Sequence, residues 1–343
     1  YVPIPSSLLF SPHTELILDR LYAYMTLTET HAKARSEDTF FHHELKTFSR
    51  RSREPGSLQK RKTHISDTFF IFNPQRSEAE KVMTSLQEHE MMWTRADAIL
   101  EQSTNPNTKF FALQVLDGVI KYRWNALPDD QREGIKNFIS NLIIKLSTDA
   151  ASFRRDRAFI NKINNVLVQI LKHDWPVRWA SFVPDLVGAA KQSESLCENC
   201  MNILRLLSEE VFDFSRGELT QAKITELKNA LNTDFPLIHE LCEFVLTHSQ
   251  KSELIQKTLQ TLHAFLSWIP LGYIFESSLL DTLLKLSPNP EFRNVALQCL
   301  GEIGGLAVEQ KYDVHFVKLY VTVITQLQTI LPRSVKIAEA YAN

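Results

Sequence analysis

Four places in the sequence bring together residue types that can do chemistry. Cys197 and Cys200 form a C-x-x-C pair, the spacing of redox thiols and of zinc sites. Gly301, Gly304 and Gly305 could open a phosphate-cradling loop. His89-Glu90 starts like a zinc-protease motif, and His173-Asp174 like half of a catalytic dyad. Each lacks what its chemistry requires. No second C-x-x-C and no well-spaced histidine pair accompanies the cysteines, and Cys200 falls on an apolar stripe in mid-helix, away from a helix start that would stabilise a thiolate. The glycines follow a helical pattern instead of a strand, and no Lys-Ser/Thr pair comes after them, so close helix packing or a helix end is expected. Trp93 stands where a second metal-binding histidine belongs, and His173-Asp174 reads as a helix-terminal charge pair. The sequence therefore argues against an enzyme, and it assigns no catalytic residue, metal or cofactor.

The elements that would position these residues are helices. The stretch KHDWPVRWASFVPDL, Lys172 to Leu186, marks a corner between two of them. Before it, Phe159, Ile160, Ile163, Val166, Leu167, Ile170 and Leu171 form a stripe of helical period that stops where Pro176 forbids continuation. Trp175 and Trp179 flank the proline with large apolar faces, so a packed corner is expected. Related corners stand at Arg123 to Pro128 and Ser267 to Phe275. Trp124, Trp175 and Trp268 lie 51 and 93 residues apart, one and two steps of a period typical of HEAT-type helical repeats.

From about Ser77 onward nearly every residue fits a helix or a short connector. Ser77 and Glu80 make a capping-box pattern, Pro106 breaks the chain before a helix from Thr108, and Asp129-Asp130 supply the acidic first turn of a helix reaching about Leu146. Further helices are expected at Ser195 to Val211, in a longer region beyond Ser215 to Gly217 that is interrupted near Pro236, at Leu254 to Leu266, and at Arg293 to about Ala307. Helices of about 15 residues joined by short connectors suit stacked hairpins, because no single pair buries its own apolar stripe. The first 76 residues differ. Between His31 and His64 there are nine Lys/Arg against four Asp/Glu around RRSREPGSLQKRK, with little apolar periodicity, which favours a poorly ordered or non-native leader.

The totals narrow the class further. Only 9 glycines among 343 residues, with 44% apolar content, argue for helices over sheets. The 38 basic and 40 acidic residues leave a net charge of −2, which gives no electrostatic footprint for nucleic acid. No apolar run has the length of a membrane span, so no membrane partner is expected. Cys197, Cys200, Cys242 and Cys299 all sit in apolar helical patterns and read as reduced core thiols of an intracellular protein.

The informative polar residues form stripes. Gln114, Asp117 and Lys121 are spaced i, i+3, i+7, and Lys162, Asn165 and Gln169 repeat that spacing. Glu198, Asn202, Arg205 and Glu209 make a third stripe of the same character. If the second helix of each hairpin lines the inside of a superhelix, these stripes form a mixed-charge concave surface suited to a folded protein partner. Otherwise each is a solvated helix face.

Five runs bear on that choice: WTRADAILEQSTNPNTKFFALQVLDGVIKYRWNALP from Trp93, the tryptophan corner, QSESLCENCMNILRLLSEEVFDFS from Gln192, FLSWIPLGYIFE from Phe265 and FRNVALQCLGEI from Phe292. From about Glu78 to Asn343 the chain resembles the importin-β (karyopherin-β) family, and within it the nuclear export receptors. The resemblance implies an all-α HEAT-repeat superhelical solenoid of antiparallel helix pairs, which shuttles between nucleus and cytoplasm and meets nuclear pore proteins. It implies a Ran-binding region over 77–150, whose small GTPase partner Ran is recognised in its GTP form. Further repeats at 151–343 would stop short of the groove for leucine-rich export signals, so cargo would bind only through repeats absent here. The implied inner helices are Glu78 to Glu88, Thr108 to Arg123 and Arg157 to Lys172. Their polar faces make Lys81, Ser85, Gln114, Asp117, Lys121, Lys162, Asn165 and Gln169 the candidates for Ran contact. The expected first outer helix has no counterpart in Tyr1 to Arg76 beyond Thr14 to Leu27. A stand-alone HEAT scaffold assembling other proteins is the alternative reading.

Overall fold

Most helix boundaries follow the punctuation in the sequence, but the helix expected to start at a Ser77 cap begins at Pro74, with Ser77 inside it. In the computed structural model, which describes residues 18–19, 74–212 and 219–330, the chain divides into two units, residues 1–123 and 124–343. Most of the 1–76 leader, the Thr14 to Leu27 segment beyond Leu18 and Asp19, and the Ser215 to Gly217 connector lie outside the described residues.

The first unit contains α1 (Pro74–Gln87), a 3-10 turn at Met92–Arg95, α2 (Ala96–Gln102) and α3 (Pro106–Arg123). Pro106 opens α3, where its missing N–H is no loss, and the side chain of Asn105 accepts from the amide of Asn107 at 2.9 Å. Phe111, Leu113, Leu116 and Ile120 on α3 are buried, and α1, α2 and the 3-10 turn all pack against that helix. Leu18 is buried too, while Asp19 accepts a hydrogen bond from the hydroxyl of Ser103 at 2.8 Å.

The second unit runs α4 (Asp129–Thr148), α5 (Ala150–Arg155), α6 (Arg157–Asp174), α7 (Phe182–Ala190), α8 (Glu194–Phe212), α9 (Gln221–His248), α10 (Ser252–Leu266), α11 (Gly272–Phe275), α12 (Leu279–Leu286), α13 (Arg293–Gly304) and α14 (Asp313–Ile330). Helices α6, α8, α10 and α13 stack in one layer, each touching the next. Helices α4, α7, α9 and α12 pack against that layer, and α7 also touches α9. Successive helices thus alternate between layers, the arrangement of a HEAT-repeat protein, and the described residues include no strand. The core lies between the layers: Ile163, Val166 and Ile170 of α6, Ile203, Leu204 and Leu207 of α8, and Leu259, Leu262 and Phe265 of α10 are all buried.

Local chemistry explains the helix starts. Asp149 accepts from the Ser152 amide at 2.8 Å before α5, and Thr220 accepts from the Lys223 amide at 3.3 Å before α9. The expected interruption near Pro236 is corrected, since α9 continues through it. Pro236 lies on the exposed side, where water can serve the carbonyl left without a partner, while its neighbours Phe235, Ile238 and His239 are buried. The glycines at the end of α13 are a helix end, as expected, and the Tyr320 hydroxyl of α14 donates to the Gly304 carbonyl at 3.0 Å.

Candidate partner-binding surface

The chemistry suggested by isolated residues dissolves in the structure. All four cysteines are free and buried. Burial pushes the Cys197 thiol up to about 11, and it raises Cys200 and Cys242 further still. At neutral pH these thiols are held protonated, and among the described residues no group of three or more His, Cys, Asp or Glu could hold a metal ion. His89 is used locally, its Nδ1 accepting from the Met91 amide at 3.2 Å. The carboxylate of Asp174 is committed to the corner, where Trp124 Nε1 and Arg178 Nε each donate to it at 2.8 Å. A cavity of about 480 Å³ opens beside the start of α8, but the serine hydroxyls lining it are spent on one carbonyl, Ser193 and Ser195 both donating to Thr148. No described helix is long and apolar enough to cross a membrane.

The polar stripes remain. In the first unit, Lys81 is exposed and Ser85 half-buried on α1, while α3 carries exposed Gln114 and Lys121 with half-buried Asp117. Lys121 and Asp117 pair at 3.1 Å, one turn apart on that helix. In the second unit, α6 presents half-buried Lys162 and exposed Asn165, whereas Gln169, one turn further on, is buried at 9% exposure. The polar face of α6 therefore narrows toward its C-terminal end.

The third stripe is not a simple solvated face. Glu198 and Asn202 are buried, because α6 and α10 close on α8 from both sides. Asn202 donates to the side-chain oxygen of Asn161 on α6 at 3.2 Å, and Asn164 donates to Asn199 at 2.7 Å. On the other side, Lys257 of α10 reaches Asn202 at 3.5 Å. Glu198 is held by Lys251 at 3.2 Å and by Arg157 at 3.6 Å. A polar ladder thus crosses three stacked helices. Burial, with the nearby guanidinium groups of Arg205 and Arg157, lowers the Lys257 ammonium to about 8. Sequence reading found Glu198 and Asn202 on α8 but missed Asn199 beside them, and with it Arg157, Asn161, Asn164, Lys251 and Lys257. Spacing along one helix gives no signal for them, because each meets its partner on a different helix.

Comparison with known proteins places this architecture. Residues 79–145 match the importin-beta N-terminal domain, and residues 156–300 match the exportin 1-like protein family. The class is thus the importin-β-type helical-repeat proteins, and the chain belongs to it. Within that class it is a homologue of the exportin-1 proteins. It is 59% identical over 269 residues to protein exportin 1A of Arabidopsis thaliana, covering 78% of this chain and 25% of that protein. It is 48% identical over 266 residues to exportin-1 of Drosophila melanogaster, covering 77% of this chain and 25% of that one. With exportin-1 of Schizosaccharomyces pombe it shares 44% identity over 268 residues, 78% of this chain and 25% of the relative. The chain spans about a quarter of the length of the curated relatives it matches.

Proposed function

We propose that the chain is the amino-terminal part of a nuclear export receptor that binds the GTP form of Ran and takes part in the export of proteins bearing leucine-rich nuclear export signals. The observation that carries this reading is the succession of two matches in one chain, an importin-beta N-terminal domain followed by an exportin 1-like segment. On this reading residues 77–150 form the Ran-binding region and 151–343 add further repeats. On the same reading cargo would bind through repeats other than these. The receptor would shuttle between nucleus and cytoplasm through contacts with pore proteins and would act by binding, not by catalysis.

Ran would be read as a switch. Contacts available only in the GTP form give the receptor a differential affinity, and that difference sets direction. Lys81, Ser85, Gln114, Asp117 and Lys121 in the first unit are the proposed contacts there, and Lys162, Asn165 and Gln169 those in the second. Exposed Lys121 and half-buried Lys162 are the groups to reverse. The test is retention of purified Ran, locked with a non-hydrolysable GTP analogue or loaded with GDP, on the immobilised chain. Preferential retention of the GTP form, weakened at least about tenfold by Lys121→Glu with Lys162→Glu, supports the reading. Equal retention of both forms by a folded chain refutes it and favours a scaffold indifferent to nucleotide.

A further inference from the structure

The ladder across α6, α8 and α10 carries more positive charge than its own carboxylates neutralise. Arg157, Arg205, Lys251 and Lys257 converge there, but among the described residues only Glu198 and Glu209 pair with them. Glu198 is already shared between Lys251 at 3.2 Å and Arg157 at 3.6 Å. Glu209 approaches Arg205 at 3.7 Å, beyond hydrogen-bond range, and the buried Nε of Arg205 has no hydrogen-bond partner. Among the described residues no carboxylate lies within ion-pair distance of Lys257, although Glu198 and Glu209 act on it from further away. Its ammonium is met by two neutral amide oxygens, Gln260 at 3.1 Å and Asn202 at 3.5 Å.

This arrangement is unfavourable to the folded chain in isolation. Half-burying an ammonium beside two guanidinium groups disfavours its charged form, which is why Lys257 falls to about 8. A leucine or methionine at that position would avoid the penalty. A carboxylate arriving from outside would reduce it, by supplying a counter-charge to Lys257 and to the Arg205 guanidinium, whose side chain keeps 29% exposure. The cluster is accessible to such a group: the Arg157 side chain is 55% exposed, and Lys257 and Gln260 are only half-buried.

We propose that Lys257 and Arg205, framed by Arg157 and Asn202, form a docking site for the carboxylate side chains of an acidic segment on a protein partner. The site is distinct from the residues proposed for Ran and does not depend on that reading. Its chemistry favours glutamate and aspartate side chains over a nucleic acid. The charge excess is local, Glu209 stands half-exposed at its border, and the chain as a whole has a net charge of −2. A phosphate backbone needs a cationic stripe, whereas one or two carboxylates saturate this cluster.

The probe is a fluorescein-labelled peptide of consecutive glutamates flanked by glycines, titrated with the whole chain at low salt and read by anisotropy. The native chain is expected to bind it. Lys257→Gln and Arg205→Gln should each weaken binding at least about fivefold, as loss of a charge-assisted contact does. Lys318→Gln, on α14 and paired with Asp281 at 2.6 Å, should leave it unchanged. Should either ladder variant fail to give the native circular dichroism spectrum, Glu209→Gln decides the matter, because removing the competing carboxylate must tighten binding. No binding by the native chain, no loss in a folded Lys257→Gln variant, or equal binding of a single-stranded RNA oligonucleotide overturns the proposal.

Discussion

The indole of Trp124 donates to the buried carboxylate of Asp174 at 2.8 Å, joining the turn before α4 to the last residue of α6. Asp174 is 1% exposed and is also bonded by Arg178 from the tryptophan corner, with Lys136 of α4 at 3.5 Å. Lys136 in turn contacts the Glu133 carboxylate and lies over the Trp179 ring, 5.3 Å from its centroid. One carboxylate therefore ties α4, the turn before it and the tryptophan corner to the end of α6.

Replacing Asp174 tests that role. Asp174→Ala removes one of the two carboxylates beside the buried Lys136 ammonium and leaves the Trp124 N–H without its acceptor, so it should lower unfolding stability by about 3–5 kcal/mol in urea titrations. Trp124→Phe removes only the hydrogen bond and some packing area and should cost about 1–2 kcal/mol. Equal effects from the two substitutions would show that the charge network contributes nothing beyond the indole bond.

The buried amides of Asn164 and Asn199 bond to each other reciprocally, at 2.7 and 3.3 Å. Either Asn→Leu substitution alone orphans the partner and should destabilise by about 1–3 kcal/mol. The double Asn164→Leu, Asn199→Leu variant should recover most of that loss, because two apolar groups satisfy each other. A double-mutant cycle with purely additive effects would contradict a paired contact.

Lys257 makes a pH prediction with a definite sign. Its ammonium titrates near 8 in the folded chain against about 10.5 when unfolded, so between those values the unfolded chain holds more protons. Stability contributed by this group therefore rises as pH rises from about 8 to about 10.5, and Lys257→Met should flatten that part of the profile. Site-resolved amine titration should give a lower value in Glu198→Gln, which removes a stabilising carboxylate, and a higher one in Arg205→Gln, which removes a repelling guanidinium. The opposite ordering would reverse the assigned causes.

Thiol accessibility provides a simple check of the core. Cys197, Cys200, Cys242 and Cys299 are buried, and burial holds Cys197 near 11 and Cys299 near 12. A disulfide-exchange reagent at neutral pH should label none of the four until denaturant is added. Rapid stoichiometric labelling of the native chain would show that α8 and α10 are not packed as described.

Much of the fold could be read from local pattern, because the apolar period of Phe159 to Leu171 and the proline after it specify where a helix runs and stops. Pro236 misled because its ring sits on the exposed side of a helix whose buried stripe passes through Phe235, Ile238 and His239. A breaker signal says nothing about how much packing opposes it. The site was harder. Glu198 and Asn202 look like surface residues beside Arg205 and Glu209, yet they are buried by Arg157 and Asn161 from one side and Lys251 and Lys257 from the other. Those partners are roughly 40 to 55 residues away in sequence, and helical spacing carries no information about which side chains will meet across a stack.

The Asn164 and Asn199 pair also has a mechanical consequence. Apolar side chains tolerate sliding, since one methyl serves nearly as well as another against a neighbour. An amide does not, because donor must meet acceptor. Shifting α8 against α6 by one turn, about 5.4 Å, would carry Ile203 or Ser195 into the place of Asn199 and break the pair. The two amides act as a detent that fixes the phase of one helix on the next and opposes creep of α8 along the groove of α6.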